Sequence, residues 1–372
     1  MLKKILFFLL LVYSTIAFSQ NPKLSPNTKV SVFTCGRGEE LYSTFGHTAL
    51  RIKDPINELD VVYNYGYFDF RTEKFYFKFV KGDLQYFMNV TSYEDFVFEY
   101  QTDRREVIEQ TLDLPLAKKQ ELFDALNKSL LSNERYYTYK FIDRNCTTMI
   151  VDKINSLFGK KEIQKVDDTS ISYRTVLYPY FENYFWYKLG INIVFGAKTD
   201  KNAEQLFLPI ELLNSLDKAK IDGKPLVSKK KTVVQGDTNH TEFLFFNSIY
   251  LICTLLLILI AINKRVLLVS YLFVCGIFGV FLCAIGFFSQ HEELLWNYNA
   301  LLFNPLFLLI PFAKNGFLKK LNSISLVMLL LYSIVMITKP HLMIMLPFIL
   351  ANGYVLLKLN GRNPLKLLSS IK

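Results

Sequence analysis

The chain predicts an α+β domain followed by an α-helical transmembrane bundle. Three observations carry that expectation. Composition changes near Glu242, from mixed and ordinarily charged to apolar for most of the remaining length. Upstream, Phe45-Gly46-His47-Thr48-Ala49-Leu50-Arg51-Ile52 has the β-branched and aromatic character of a strand. About a hundred residues later, Asn145-Cys146-Thr147-Thr148 opens an amphipathic helix.

The N-terminus reads as an export signal. Lys3 and Lys4 precede the apolar run Ile5 to Val12, and Ala17-Phe18-Ser19 supplies small residues for cleavage. Residues 1–19 are thus expected to be a signal peptide, with the mature chain starting near Gln20. A retained anchor is the alternative, but the run falls short of the ~20 residues a spanning helix needs. Residues 20–228 then form a domain outside the membrane, long enough to bury a full core. A polar linker is expected over 229–242, a bundle of about five helices over 243–357 and a cytoplasmic tail over 358–372.

The net charge of +10 divides unevenly: +2 in residues 1–20, zero in 21–242 and +8 in 243–372. The globular part is neutral, so the basic balance is no argument for a nucleic-acid partner. Five apolar segments follow: Phe243–Ile262, Val266–Phe288, Leu301–Phe312, Ser323–Ile337 and Leu342–Leu357. Lys264 and Arg265, then Lys314, Lys319 and Lys320, then Lys358, Arg362, Lys366 and Lys372 fall on alternate connections. The positive-inside rule puts all three clusters in the cytoplasm and residues 21–242 outside, in agreement with the signal. The third segment is short and contains Asn304-Pro305, so four spans with a re-entrant piece is the competing reading. That reading flips the tail, against the charges.

Cys253, Cys275 and Cys283 lie in apolar spans and read as packing residues. Only Cys35 and Cys146 lie in the exported domain, where one disulfide between them is the bland alternative. The setting of Cys146 favours chemistry. Asn145 is a good N-cap, and Met149, Ile150, Ile154, Leu157 and Phe158 keep helical spacing up to Gly159. Cys146 therefore falls in a first turn, where unpaired N–H groups and the helix dipole favour a thiolate or an oxyanion. His47 is the one histidine in the folded part of the domain, since His240 lies in the expected linker. Phe45 to Lys53 and Asp60 to Phe68 read as two strands joined by Asp54-Pro55-Ile56-Asn57. A strand histidine beside a helix-start cysteine is the Cys–His arrangement of papain-like enzymes in reversed order.

These motifs resemble the circularly permuted NlpC-type, papain-like fold of the lecithin:retinol acyltransferase group, whose motif also begins Asn-Cys. More closely, the chain is similar to the Lnb family of lipoprotein N-acyltransferases, which joins an N-terminal periplasmic domain to a membrane bundle. The matching pieces are Tyr42 to His47, Tyr63-Asn64-Tyr65-Gly66, Arg144 to Thr147, Tyr178 to Gly196, Phe207-Leu208-Pro209 and His291 to Pro305. The resemblance implies an inner-membrane enzyme with Cys146 and His47 as catalytic pair. A membrane phospholipid would be the acyl donor and a diacylated lipoprotein the acceptor, through a Cys146 thioester. It implies no cofactor, and no metal-spaced His/Cys/Asp set appears in the domain.

Papain-like sites orient the histidine with a third polar group. Asn64, Tyr65 and Asp69 are candidates, with Asn64 preferred because an amide oxygen accepts from imidazole. Tyr42, Tyr65, Arg144, Asn145 and His291 are candidate substrate contacts, with packing or surface pairing as the competing roles of Tyr42, Tyr65 and Arg144. The aromatic stretch Tyr178 to Phe195 reads equally as core or as a rest on the bilayer. The loop His291 to Asn299 reads as a headgroup or lipoprotein contact. A periplasmic NlpC-type cysteine peptidase, or a phospholipase sharing all but the acceptor, are the alternative activities.

Overall fold

The computed structural model describes residues 22–237 and 244–361. The signal peptide expected over 1–19, the linker residues around His240 and most of the tail lie outside them.

In chain order come β1 (Lys29–Cys35), β2 (His47–Asp54), β3 (Leu59–Tyr67), α1 (Phe75–Lys81) and β4 (Gln85–Ser92). Next are α2 (Tyr93–Thr102), β5 (Val107–Leu112), α3 (Leu116–Leu130), β6 (Tyr136–Thr138) and α4 (Cys146–Ser156). There follow α5 (Tyr173–Leu177), α6 (Phe185–Val194), α7 (Pro209–Lys218), the hairpin β7 (Lys220–Ile221) with β8 (Lys224–Pro225), and β9 (Val227–Val234). The C-terminal region holds α8 (Ile249–Ile262), α9 (Arg265–Phe288), α10 (Asn299–Leu302), α11 (Asn315–Met336) and α12 (Leu342–Leu359).

The chain divides into two compact units. The first comprises residues 22–70, Gln85–Asp167 and Leu206–Asp237. Its seven-stranded sheet runs β6-β4-β3-β2-β1-β5-β9, and every pairing is antiparallel. The strand period of two sorts side chains between two cores. Val30, Val32, Leu50, Ile52, Tyr63 and Tyr65 meet helices α3, α4 and α7 through Leu122, Ile150, Ile154 and Leu212. Phe33, Ala49, Val62 and Val107 meet Phe96 and Tyr100 of α2. At the edge of the second core, Arg51 is buried, bonds both oxygens of Asp60 at 2.6 Å, and lies 3.3 Å over the ring of Tyr93. Its planar fork satisfies a desolvated guanidinium that would otherwise be costly.

The sheet reaches into the expected linker, because β9 occupies 227–234 and pairs with β5. Its sequence VSKKKTVV looks like solvated coil, yet exposed lysines are what an edge strand carries to discourage further pairing.

The second unit comprises Arg71–Leu84, Asp168–Gln205 and residues 244–361. Two segments that composition assigned to the 20–228 domain therefore group with the helical region. The physical reason is apolar burial: Phe185, Leu189 and Ile193 pack with Leu268, Leu302 and Phe307. Arg174 anchors the aromatic stretch. Fully buried, it pairs with Asp200 at 2.8 Å and donates to the carbonyls of Ile191, Phe195 and Gly196 at the end of α6.

Among the described residues four helical stretches are long and apolar enough to cross a membrane: Arg265–Phe288, Glu292–Phe312, Asn315–Met336 and Leu342–Leu359. The first of the five expected segments is helical only over the 14 residues of α8, less than a full crossing. The third is part of the irregular Glu292–Phe312 stretch, where Asn304 Oδ1 accepts from Leu306 N at 3.0 Å and starts a 3₁₀ turn.

In the first unit Lys165 and Glu211 form a buried ion pair at 2.6 Å. Glu211 also accepts from the backbone N–H groups of Phe207 and Leu208, both at 3.1 Å, holding the start of α7. Lys165→Met is expected to destabilise the protein by about 3 kcal/mol or more, because it strands a buried carboxylate. Adding Glu211→Gln should recover part of that loss; thermal melting of the single and double variants checks both.

Candidate functional site

The site grows from the N-terminus of α4. Asn145 Oδ1 accepts from Thr147 N at 2.9 Å and Thr148 N at 3.0 Å, and Asn145 N donates to Thr148 Oγ1 at 2.8 Å, completing a capping box. The Asn145 amide donates to Phe141 O at 2.8 Å and Phe207 O at 2.9 Å. Its side-chain hydrogen bonds are spent inside the protein. Asn145 thus positions Cys146 at the start of the helix. The cap also occupies two N–H groups that the sequence offered to an oxyanion, leaving the Cys146 N–H as the first-turn donor outside it.

Cys146 is buried and free, as is Cys35, so the disulfide alternative does not describe this structure. Burial raises the Cys146 pKa, and the N–H groups of Thr48, Thr147 and Cys146 with the Thr147 hydroxyl act in the lowering direction. Thr48 and Thr147 hydroxyls are themselves 2.9 Å apart, tying β2 to α4. The β2–β3 ladder ends at Ala49 and Asn64, just before this point.

Two glycines make the approach feasible. Gly46 has φ +79°, and a Cβ there would lie 2.4 Å from Cys35 O. Only glycine admits this entry into β2, which is the physical content of Phe-Gly-His. Gly66, at φ +97° in the β3 irregularity, sits so that a Cβ would be 3.9 Å from Cys146 Cβ.

His47 Nε2 lies 3.2 Å from Asn64 Oδ1. The Asn64 amide nitrogen donates to Val62 O at 3.2 Å and Thr91 Oγ1 at 3.3 Å, which assigns its oxygen to the imidazole. Nε2 must then carry the proton, and Nδ1 keeps its lone pair as a base. Asn64, the preferred candidate, meets His47. Burial lowers the His47 pKa to about 4, with Arg105 adding to the effect and the Asn64 bond opposing it. Burial raises the Cys146 pKa against the donors around its sulfur. Both shifts favour the neutral forms, a thiol at Cys146 and an uncharged imidazole at His47.

The remaining candidates take varied places. Tyr65 is buried, edge-on to Tyr137 at 6.2 Å between ring centroids. The hydroxyls of both are buried with no hydrogen-bond partner among the described residues. Burial first, and then the nearness of Cys146, raise the Tyr137 pKa. Tyr137 was not singled out from the sequence; the Tyr136-Tyr137-Thr138-Tyr139 run preceding Asn-Cys was its one signal. These hydroxyls are donors suited to an oxyanion formed at Cys146. Arg144 is exposed and stacks 5.1 Å over the Tyr137 ring, and Tyr42, 65 % exposed, lies edge-on to Phe68. His291 belongs to the second unit, where its Nε2 is 2.8 Å from Phe79 O. That ring nitrogen is bonded at a helix end.

Iodoacetamide labelling of Cys146, followed on its peptide by mass spectrometry, should rise continuously from about pH 7 to about pH 10. A plateau reached at neutral pH would identify a thiolate at rest and refute the neutral pair. Tyr137→Phe should leave the melting temperature unchanged or raise it by the equivalent of up to about 1 kcal/mol, since an unpartnered buried hydroxyl is removed. The same variant should slow acylation of Cys146 by a p-nitrophenyl ester about tenfold or more.

Residues 19–178 match a family model described as the Lnb N-terminal periplasmic domain. No curated protein and no solved structure matches the chain. The matched segment contains Gly46, His47, Asn64, Gly66, Tyr137, Asn145 and Cys146, the residues from which the site is built. Residues 19–178 are thus similar to the Lnb N-terminal periplasmic domain, and four helices long and apolar enough to cross a membrane lie C-terminal to them.

Proposed function

We propose that this chain is a thiol-dependent lipoprotein N-acyltransferase, a multi-pass protein of the bacterial inner membrane with its catalytic domain, read as a permuted papain-like fold, in the periplasm. The observation that carries the reading is the Cys146–His47–Asn64 arrangement inside the Lnb periplasmic domain. A capped nucleophile, a base with its lone pair on Nδ1 and an amide that fixes the tautomer are the parts acyl transfer through a thioester requires.

His47 Nδ1 takes the Cys146 proton as sulfur attacks the carbonyl carbon of a phospholipid ester. The Cys146 N–H and the tyrosine hydroxyls stabilise the oxyanion. As the C–O bond breaks, imidazolium returns the proton to the departing lysophospholipid, leaving an acyl-Cys146 thioester. The neutral α-amine of a diacylated lipoprotein's N-terminal cysteine then attacks. His47 accepts the amine proton and passes it to the departing Cys146 sulfur, and an amide-linked third chain is formed. A neutral resting base suits both halves, because imidazolium could not begin either.

Intact mass spectrometry of a lipoprotein N-terminal peptide tests this in cells lacking their own N-acyltransferase. Complementation with this chain should add one amide-linked acyl chain, and Cys146→Ala should abolish the gain. Asn64→Ala should lower the rate by at least about tenfold while leaving Cys146 in place. Absence of acylation by a well-expressed, membrane-inserted protein would defeat the proposal, and release of free fatty acid instead would identify a phospholipase.

A further inference from the structure

Helix α1 combines the composition of a buried helix with the exposure of a surface one. Five of its seven residues, Phe75-Tyr76-Phe77-Lys78-Phe79-Val80-Lys81, are apolar, and none is buried. Tyr76 is 77 % exposed and Phe77 56 %, with Phe79 and Val80 exposed beside them. A helix apolar all round belongs in a core or in lipid. Each large apolar side chain left in water forgoes the stabilisation of burial. The other residues are Lys78 and Lys81, with Lys74 at the N-cap. Rings interleaved with lysines are the composition that settles at a bilayer's headgroup layer.

The attachment of α1 identifies the surface. Val80 O accepts from Ser289 Oγ at 2.8 Å, Lys81 O from Gln290 N at 2.7 Å, and His291 Nε2 lies 2.8 Å from Phe79 O. The Phe77 ring meets that of Phe288 at 5.1 Å. Gly82, at φ +79°, brings the chain so close that a Cβ would lie 3.1 Å from His291 N. Helix α1 is thus fastened to the Phe288 end of α9, a helix long and apolar enough to span. Lys264 and Arg265 at its other end mark the cytoplasmic side. Phe287, 95 % exposed, continues the apolar surface of the span to the level of α1.

We propose that α1 is an interfacial helix, its rings at the acyl boundary of the outer leaflet and its lysines among the lipid phosphates, where it engages the phospholipid that supplies acyl chains. The supply role rests on the acyl transfer proposed above; the lipid contact does not. In sequence α1 joins β3, which carries Asn64 and Gly66, to β4. Lipid contact is therefore covalently linked to the strand beside Cys146.

Photocrosslinking tests the contact. The full chain, with benzoylphenylalanine replacing Tyr76 or Phe77, is reconstituted in vesicles of phosphatidylethanolamine and phosphatidylglycerol and irradiated. Phospholipid adducts are expected on the α1 peptide, and none when the probe replaces exposed Glu121. Crosslinks only to a second copy of the chain, or no adduct, would overturn the proposal. The double variant Y76D/F77D should lower acyl transfer from vesicle lipid about tenfold while iodoacetamide labelling of Cys146 is unchanged. Unaltered transfer would overturn the supply role. Should the wild-type chain transfer no acyl group, the acyltransferase reading fails and the crosslink still decides the lipid contact.

Discussion

Asn145 must satisfy several backbone groups at once, and the geometry of the site depends on its doing so. Its side-chain oxygen closes the first turn of α4, and its amide reaches back to Phe141 and across to Phe207. Phe207 is in turn held through Glu211, which a buried lysine neutralises. The nucleophile is therefore located by a chain of satisfied polar groups running from α4 to the start of α7. Buried networks of this kind are stable only when complete, which ties the position of one sulfur to residues as far along the chain as Lys165 and Glu211.

Solvent exclusion sets the chemistry of the pair. The first-turn environment of α4 favours a thiolate, and the donors around the sulfur act in that direction, yet burial outweighs them. Burial acts on His47 with the opposite charge sign and the same result, a neutral group. Both terms penalise separated charge before a substrate is present. In the proposed reaction, proton transfer would be coupled to the arrival of a carbonyl whose oxyanion can be hydrogen-bonded.

Much of this was legible in the chain because local rules governed it. Asn145 before Cys146 is an N-cap read directly, and alternation placed His47 and Asn64 on adjacent strands within a residue or two of β2 and β3. Asn64 as the partner of His47 followed from amide chemistry. What escaped depended on distant partners. Arg174 looks like an ordinary surface cation until Asp200 and the end of α6 close around it. Tyr137 matters through an absent hydrogen bond, which no pattern encodes. The bond between His291 and Phe79 O escaped too, because its two ends lie over two hundred residues apart. Residues 71–84 and 168–205 share the composition of a globular core, so tertiary grouping alone separates them from the sheet.

The absence of charge on Cys146 has a further consequence for a protein of the periplasm. Thiol–disulfide exchange and peroxide attack both proceed through the thiolate. Burial also raises the Cys35 pKa to about 12, and neither cysteine is paired. A domain with two exported cysteines would ordinarily be a substrate for the oxidising machinery of that compartment. Here the desolvation that disfavours both thiolates also slows their oxidation, so the dry surroundings that shape the candidate site protect its sulfur as well.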